Sequence, residues 1–317
     1  MKLNGTILGL CGIILTGCGG AQDGTVTPVT VGQSRMHQAS GSSGDLLYVA
    51  TRRTVYVISY PQGDIVGSFH EGGHYIHDVC ADPNDGTVFI TDDQLIRKFP
   101  HGATRPSVVL HTPSTYIGFG CAVDRNTGNL AVAATLTNGT GAILVHSKTT
   151  RKWAIYPSGT NECTDATYDN VGDIYATCQG PPSHQFLLEE LVSGQKKTKT
   201  IEVVPSMRVG PYTLQWDGSY LTMEDESGGV ISQAKVHRGT AKVVGTTQLL
   251  DASGDYAYWI QGGSVLAWYN GPTQGGSQAV GVWDYPQGGY PTHTFYGIGR
   301  KGLWSLAVSV APTASRK

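Results

Sequence analysis

The sequence predicts an all-β protein: a six-bladed β-propeller closed by its C-terminal strand, which pairs into the first blade. Three observations carry the prediction: a repeat of turn glycines, a second repeat in the same phase, and an apolar run near the C-terminus. The composition agrees, because the 317 residues include 43 glycines and 16 tyrosines but 15% charged residues, as expected for many short strands and tight turns. A β-sandwich with coincidental turn spacing is the alternative.

The first repeat consists of turn glycines that each precede an apolar, β-rich run. Six of them follow one another at steps of 42, 42, 44, 46 and 45 residues: Gly44, Gly86, Gly128, Gly172, Gly218 and Gly263. The runs after them read DLLYVA, TVFITD, NLAVAA, DIYATC, SYLTME and SVLAWY. A period of about 40–50 residues made of short strands is typical of one four-stranded blade.

The second repeat is an apolar run that ends in a turn glycine. It reads VYVISYPQG (Val55–Gly63), LIRKFPHG (Leu95–Gly102) and VGVWDYPQG (Val280–Gly288), with weaker copies ending at Gly194 and Gly239. The third blade has AILVHSKTTRKW instead and lacks the glycine. We interpret this run as the third strand of each blade, and we expect the glycine to supply a positive φ in the hairpin to the fourth strand.

The two ends of the predicted propeller complement each other. The first blade begins at Asp45 with what should be its second strand, and the apolar run Gly302–Val310 remains without a blade of its own. This run therefore completes the first blade and removes open sheet edges. The predicted blades span 303–310 with 45–69, then 76–110, 118–156, 163–203, 210–248 and 254–296. The propeller occupies 44–310, and 311–317 form a tail.

The N-terminus predicts export and a lipid anchor. Lys2 precedes a short apolar stretch, which is too short for a membrane span and typical of a secretory signal. The sequence Leu15-Thr16-Gly17-Cys18 resembles the bacterial lipobox, which implies that residues 1–17 are removed and Cys18 carries lipid. An ordinary signal peptide with a chance cysteine is the alternative. Residues 18–43 then form the lipidated cysteine and a flexible tether.

The resemblance also bears on which membrane holds the anchor. Gly19 and Gly20 follow the cysteine, so the aspartate that retains lipoproteins in the inner membrane is absent. In a cell with two membranes, the outer membrane is therefore favoured. The location after export would be extracytoplasmic in either case.

Four cysteines remain after Cys11 in the signal and Cys18 are set aside, and an even number in an oxidising compartment predicts disulfides. Cys163 and Cys178 flank the turn at 169–172 symmetrically and would face each other in a hairpin. Cys80 and Cys121 occupy similar places in the inner strands of neighbouring blades, which permits a second bridge. Buried free thiols are the alternative for both pairs.

The segment before the second blade is the richest in groups that could carry chemistry. It supplies His70, His74, His77 and Asp78, which together offer ligands for a divalent transition metal ion. Glu162, before the fourth blade, is a candidate base for a water activated by that metal. The histidines have no fixed metal spacing, however, and a solvated His-Gly loop is the alternative.

Other function classes leave no sequence signal. The formal net charge is −2, and no basic stripe appears, so nucleic-acid binding is not expected. There is no Gly-x-Ser-x-Gly elbow, P-loop or dinucleotide fingerprint. Tryptophans at 216, 259, 283 and 304 fall in strands, where we expect core packing.

The stretches CAVDRNTGNLAVA (Cys121–Ala133) and ATYDNVGDIYAT (Ala166–Thr177) resemble the inner hairpin of NHL-type and gluconolactonase-like six-bladed propellers. The resemblance covers about 45–310 and implies the fold. Gluconolactonase-like enzymes hold their metal partly through a glutamate on the first blade's inner strand, and Gly302–Val310 contains none. The YPxG repeats resemble those of exported bacterial propeller lipoproteins, from which no activity carries over.

These observations lead to two functional hypotheses. The first is a lipid-anchored module at the bacterial cell envelope that binds an envelope protein, a glycan or a small ligand at the channel mouth, without a cofactor. The alternative is a metal-dependent hydrolase or lyase, lactonase-like, with a divalent ion at the histidine segment. A purely structural subunit of an envelope complex would differ from the first only in its partner.

Overall fold

The computed structural model describes residues 44–70, 75–113, 115–180, 185–225, 228–252, 257–269, 278–298 and 302–312. These residues form twenty-four β-strands and no helix, so the predicted all-β class is confirmed for them. None of their segments is a helix long and apolar enough to cross a membrane. The predicted signal, Cys18 and the tether lie outside the described residues.

The described strands fall into six groups of four, with antiparallel pairing inside each group. Group 1 joins the end of the chain to its beginning, in the order β24 (Leu303–Ser309), β1 (Leu46–Thr51), β2 (Thr54–Ser59) and β3 (Ile65–His70). Group 2 consists of β4 (Ile76–Ala81), β5 (Val88–Asp92), β6 (Leu95–Phe99) and β7 (Val108–His111). Group 3 consists of β8 (Tyr116–Val123), β9 (Leu130–Leu136), β10 (Gly141–His146) and β11 (Trp153–Pro157).

The remaining groups follow the same order along the chain. Group 4 consists of β12 (Cys163–Tyr168), β13 (Ile174–Gln179), β14 (Phe186–Leu191) and β15 (Lys199–Val204). Group 5 consists of β16 (Val209–Trp216), β17 (Leu221–Asp225), β18 (Val230–His237) and β19 (Thr240–Gln248). Group 6 consists of β20 (Trp259–Gln261), β21 (Ser264–Tyr269), β22 (Ala279–Asp284) and β23 (His293–Phe295). These four-stranded units are consistent with propeller blades.

Two pairings depart from a simple succession of sheets. The last strand, β24, runs antiparallel to β1, from Leu46 opposite Ser309 to Thr51 opposite Leu303. The outermost strands of groups 4 and 5, β15 and β19, pair in parallel, with Glu202 opposite Thr240. Groups 4 and 5 therefore form one eight-stranded sheet, whereas the other described sheets have four strands each.

The turn glycines behave as the repeats predicted. Gly86, Gly128, Gly172, Gly218 and Gly263 all have positive φ, between 69° and 104°. Gly44 has no such φ, since it precedes β1 instead of closing a hairpin. The glycines of the second repeat also have positive φ: Gly63, Gly102, Gly194, Gly239 and Gly288. In group 3, where that glycine is missing, Arg151 takes its place with a φ of 57°.

The hydrophobic core lies in layers between successive groups. Leu46 and Tyr48 of group 1 pack with Val79 and Ile90 of group 2, for example, and all four are almost fully buried. The second strand of each group alternates between the two layers, which is why β1 is buried along its whole length.

Both predicted disulfides are present. Cys163 and Cys178 stand directly opposite each other on β12 and β13, with Cα atoms 3.9 Å apart. Cys80 on β4 and Cys121 on β8 are joined with Cα atoms 5.8 Å apart, so this bridge links the first strands of groups 2 and 3.

Candidate functional site

The first strands of the groups (β24, β4, β8, β12, β16 and β20) line two cavities. Successive members of this set contact one another along most of the series. We call the side where each first strand begins the leading end, and the side where it turns into the second strand the hairpin end. A cavity of about 40 Å³ lies towards the leading end, and one of about 460 Å³ lies at the hairpin end.

The predicted metal ligands separate in the structure. His77 and Asp78 are neighbours on β4 and line the leading-end cavity. His70 ends β3, the outermost strand of group 1, where its Nδ1 lies 3.2 Å from Thr54 Oγ1 in an exposed position. His74 lies outside the described residues. Within the described ranges, no three His, Cys, Asp or Glu side chains form a set suited to a metal ion.

His77 has partners of its own at the leading end. Its Nε2 lies 3.0 Å from Asp93 Oδ1, and its ring meets Phe119 edge to face at a centroid distance of 4.8 Å. Burial raises the pKa of Glu162, the predicted base, and the charge of His77 opposes that rise. His77 and Glu162 are thus close enough to interact electrostatically, and the roles predicted for them remain predictions.

Asp78 joins three strand groups. Its Oδ2 accepts a hydrogen bond of 2.7 Å from the Cys121 amide of group 3, and its Oδ1 accepts one from the Ser305 hydroxyl of group 1. The Val79 amide in turn donates to Ser305 Oγ at 3.0 Å. Burial raises the pKa of Asp78 to about 6. The sequence predicts Asp78 as a metal ligand. Its hydrogen bonds give it a structural role, because they link three strand groups.

Asp165 makes the corresponding link between groups 4 and 5. Its Oδ2 accepts a 2.7 Å hydrogen bond from the Leu214 amide of β16. Burial and the charge of Asp78 raise its pKa well above the usual value. Gly120 makes room for it, because a Cβ at that position would come within 2.4 Å of Asp165 Oδ1.

Gln215 completes the series between groups 5 and 6. Its Oε1 accepts a 2.6 Å hydrogen bond from the Ile260 amide, and its Nε2 donates to the Ile260 carbonyl at 3.0 Å. Side chains of the first strands thus satisfy backbone groups on the edge of the neighbouring sheet.

The hairpin-end cavity differs from the leading end in size and lining. The turns after β4, β8, β12, β16 and β20 form its rim, and the polar rim groups include Arg125, Asp169, Asp217 and Gln261. Its aromatic lining residues are Tyr168, Trp216, Tyr258, Trp259 and Tyr285. A volume of this size suits a small ligand.

The polar side-chain groups that line the hairpin-end cavity differ in how many hydrogen bonds they make. Tyr285 donates its hydroxyl proton to Asp217 Oδ2 at 2.5 Å and accepts from Gln233 Nε2 at 2.7 Å. The indole N–H groups of Trp216 and Trp259 are buried without an acceptor among the described residues. Arg125 Nη1 makes one 3.3 Å hydrogen bond, to Asn170 Oδ1.

Comparison with solved structures identifies the architecture. A protein of unknown function from Bacteroides caccae matches with a TM-score of 0.61 and 11% identity, over 84% of this chain and 99% of its own. A chain of a nidogen/laminin complex matches with a TM-score of 0.65 and 14% identity, over 85% of this chain and 100% of its own. The fold is that of a β-propeller.

At these identities the likeness concerns the fold alone. No protein-family model matches the propeller sequence, and no curated protein does. The NHL-type and gluconolactonase-like resemblance therefore stays an expectation.

Sequence reasoning placed the candidate site at the leading end of the propeller, whereas the larger cavity lies at the hairpin end. The histidine segment drew attention because its residue types are conspicuous. The aromatic lining of the other cavity gave a weaker signal, since Trp216 and Trp259 look like ordinary core residues in their strands. The aspartates of the hairpin turns, such as Asp169 and Asp217, were the available clue.

Proposed function

We propose that this protein is an exported, lipid-anchored, six-bladed propeller that acts as a ligand-binding module at the bacterial cell envelope. In this proposal each strand group is one blade, and β24 closes the ring by completing the first blade. The antiparallel pairing of β24 with β1 and the contacts of β24 with β4 and β20 support the closure.

The proposed export and anchoring rest on the N-terminal pattern that ends at Cys18, which implies attachment to a membrane and favours the outer one. The two disulfides support an extracytoplasmic location, because such bonds persist in oxidising compartments. Gly44, where the described chain begins, lies beside His101 Nε2 through a 3.1 Å contact of its carbonyl. The described part of the chain thus begins near the turn between β6 and β7.

The hairpin-end cavity is the single observation that carries the binding function. It has a volume of about 460 Å³ and combines aromatic rings with an exposed rim cation, Arg125, whose guanidinium makes one hydrogen bond, to Asn170. Trp216 and Trp259 offer ring surfaces, and Arg125 and Gln261 offer donors at the rim. We infer a small polar ligand with a flat apolar face, such as one sugar unit of an envelope glycan.

The metal-dependent hydrolase or lyase remains the second candidate. It is supported by the electrostatic proximity of His77 and Glu162 and by the buried carboxylates Asp78 and Asp165 at the leading end. It has less support than the binding module because both oxygens of Asp78 already accept hydrogen bonds and His70 lies on an outer strand.

A direct test measures binding of a panel of envelope sugars and small polar metabolites by thermal shift, followed by calorimetry on the hits. We expect Arg125→Ala and Gln261→Ala to weaken binding about tenfold, and Glu162→Gln to leave it unchanged. Ligand consumption that Glu162→Gln abolishes would favour the hydrolase or lyase. Binding that survives both rim substitutions would contradict the proposed site.

A further inference from the structure

A second cavity, which we call the side groove, lies between groups 2 and 3. Its volume is about 440 Å³, and it shares no lining residue with the hairpin-end cavity. Lys98, Val108 and Leu110 of β6 and β7 form one wall, and His146 and Arg151 at the hairpin between β10 and β11 form the other. The side groove is thus comparable in volume to the proposed ligand site and independent of it.

The base of the side groove is apolar. Phe89 and Leu130 lie there and are 6% and 2% exposed, respectively. Val108 on the wall is 45% exposed, although it faces a cavity with an apolar base. An apolar ligand would cover this surface, and burial of apolar surface is favourable.

The rim of the side groove carries an excess of positive charge. Lys148 Nζ lies 3.3 Å from Asp82 and 3.6 Å from Asp85, so its charge is matched. Lys98 lies over the Phe89 ring at 5.8 Å, and its charge helps to lower the pKa of Asp85, whereas Arg151 forms no ion pair within the described residues. Three cations, Lys98, Lys148 and Arg151, thus stand against two carboxylates, Asp82 and Asp85, and the mouth of the cavity carries one positive charge in excess.

Arg151 stands where the fold repeat uses glycine. Its amide donates to the Ser147 carbonyl four residues back at 2.9 Å, as Gly63 does to Ser59 at 2.7 Å and Gly288 to Asp284 at 2.8 Å. Its φ of 57° is one that L side chains rarely adopt. The arginine is therefore dispensable for the turn itself, because glycine performs that task in the other groups.

The geometry points to a binding site for an amphipathic carboxylate in the side groove. A single acyl chain would cover the exposed side of Val108 above Phe89 and Leu130, and its anionic end would meet Lys98 and Arg151. The apolar lining matches the chain, and the excess positive charge of the rim, which includes Arg151, matches the head group. This site goes beyond the proposed sugar site, and either site stands if the other fails.

The test uses dodecanoate as the probe, below its micelle concentration, in isothermal titration calorimetry. The protein is the full chain carrying Cys18→Ser, purified without detergent so that no attached lipid competes. We expect Arg151→Gly and Lys98→Gln each to weaken dodecanoate binding about five- to tenfold. Arg151→Gly restores the glycine of the repeat, so the turn should keep its conformation.

Arg238→Gly is the matched control. Arg238 is also an exposed arginine at positive φ, 49°, in the corresponding hairpin of group 5, but it does not line the side groove. We expect its substitution to leave dodecanoate binding unchanged. Dodecyltrimethylammonium, with the same chain and the opposite charge, should bind at least tenfold more weakly than dodecanoate.

A photoreactive fatty acid then locates the bound chain. Cross-links on β7 or on the hairpin between β10 and β11 would support the side groove even if one variant failed to fold. Cross-links confined to the hairpin-end cavity would overturn the proposal. Equal binding of the anionic and cationic probes would also overturn it, as would dodecanoate binding that neither Arg151→Gly nor Lys98→Gln weakens.

Discussion

The two ends of the first strands use polar side chains in opposite ways. At the leading end, Asp78 and Asp165 are buried and accept backbone hydrogen bonds from the next strand group, so their polarity holds sheets together. At the hairpin end, the Arg125 side chain is exposed and makes a single hydrogen bond, to Asn170 Oδ1. A polar group near a channel therefore indicates a ligand site only where its hydrogen bonds are unfilled.

The largest expected loss of stability at the leading end comes from a substitution that fills the space beside Asp165. Gly120→Ala would place a Cβ 2.4 Å from Asp165 Oδ1 and 2.7 Å from the Thr164 carbonyl oxygen, where backbone must move. We expect a loss of about 3 kcal/mol in the free energy of unfolding, measured by urea denaturation. Gly44→Ala, with open space around the new Cβ, is the control and should change little. Equal stability of the two variants would show that groups 3 and 4 meet less tightly than described.

Removing the Asp78 carboxyl should have the next largest effect. Asp78→Ala leaves the buried Cys121 amide without its acceptor, so we expect a loss of about 2 kcal/mol. The urea denaturation is run below pH 3.8, where Asp78 is protonated in both the folded and the unfolded state, so that its ionisation does not obscure the result. Glu162→Ala at the same end should cost less than about 0.5 kcal/mol. A larger loss at Glu162 than at Asp78 would reverse the roles assigned to them.

The pH dependence of stability tests the same carboxylate without truncating it. Burial raises the pKa of Asp78 from 3.8 to about 6, so the folded state holds its proton more tightly than the unfolded state does. The resulting stabilisation is fully present below pH 3.8 and is lost as the pH rises through about 6. Between these limits, wild type should lose about 2–3 kcal/mol more than Asp78→Asn. Parallel stability curves for the two proteins would contradict this account.

Substitutions at the hairpin end should have the smallest effect on the free energy of unfolding. Arg125→Gln removes a rim cation with one hydrogen bond, so the free energy of unfolding should change by less than about 0.5 kcal/mol. Thermal melting with and without a ligand found in the sugar panel provides the measurement: the variant should melt like wild type alone and gain less on ligand addition. A large loss of stability without ligand would mean that this end, too, is structural.

Much of the architecture was predictable from the sequence because turn chemistry repeats in register. The six regularly spaced glycines located the second strands, and the YPQG-type runs located the third strands and the positive φ of the glycines that follow them. Arg151 shows the limit of this reasoning. The third blade lacks the turn glycine, and its sequence does not indicate which residue adopts the positive φ in its place. Cys163 and Cys178 were predictable because symmetry about a turn fixes cross-strand partners.

The candidate site was less predictable because the sequence does not state which hydrogen bonds are filled. Asp78, Gly120 and Asp165 each stand four residues before a hairpin aspartate, at Asp82, Asp124 and Asp169. This alternation of aspartate and glycine is visible in the sequence, and it indicates equivalent positions in successive first strands where the side chain supports the packing of neighbouring groups. The ligand cavity depends instead on how five turns converge, and spacing along the chain carries no such information.

The parallel pairing of β15 with β19 implies that the strand groups differ in their resistance to mechanical unfolding. Groups 4 and 5 are joined by a ladder between their outer strands as well as through Asp165, whereas outer contacts at other seams, such as Trp153 Nε1 with the His111 carbonyl, are single bonds. A pull applied through the proposed N-terminal tether would enter at β1, in group 1, far along the chain from this reinforced pair. Under tension the seams beside group 1 would open first, and groups 4 and 5 would persist as the last folded remnant.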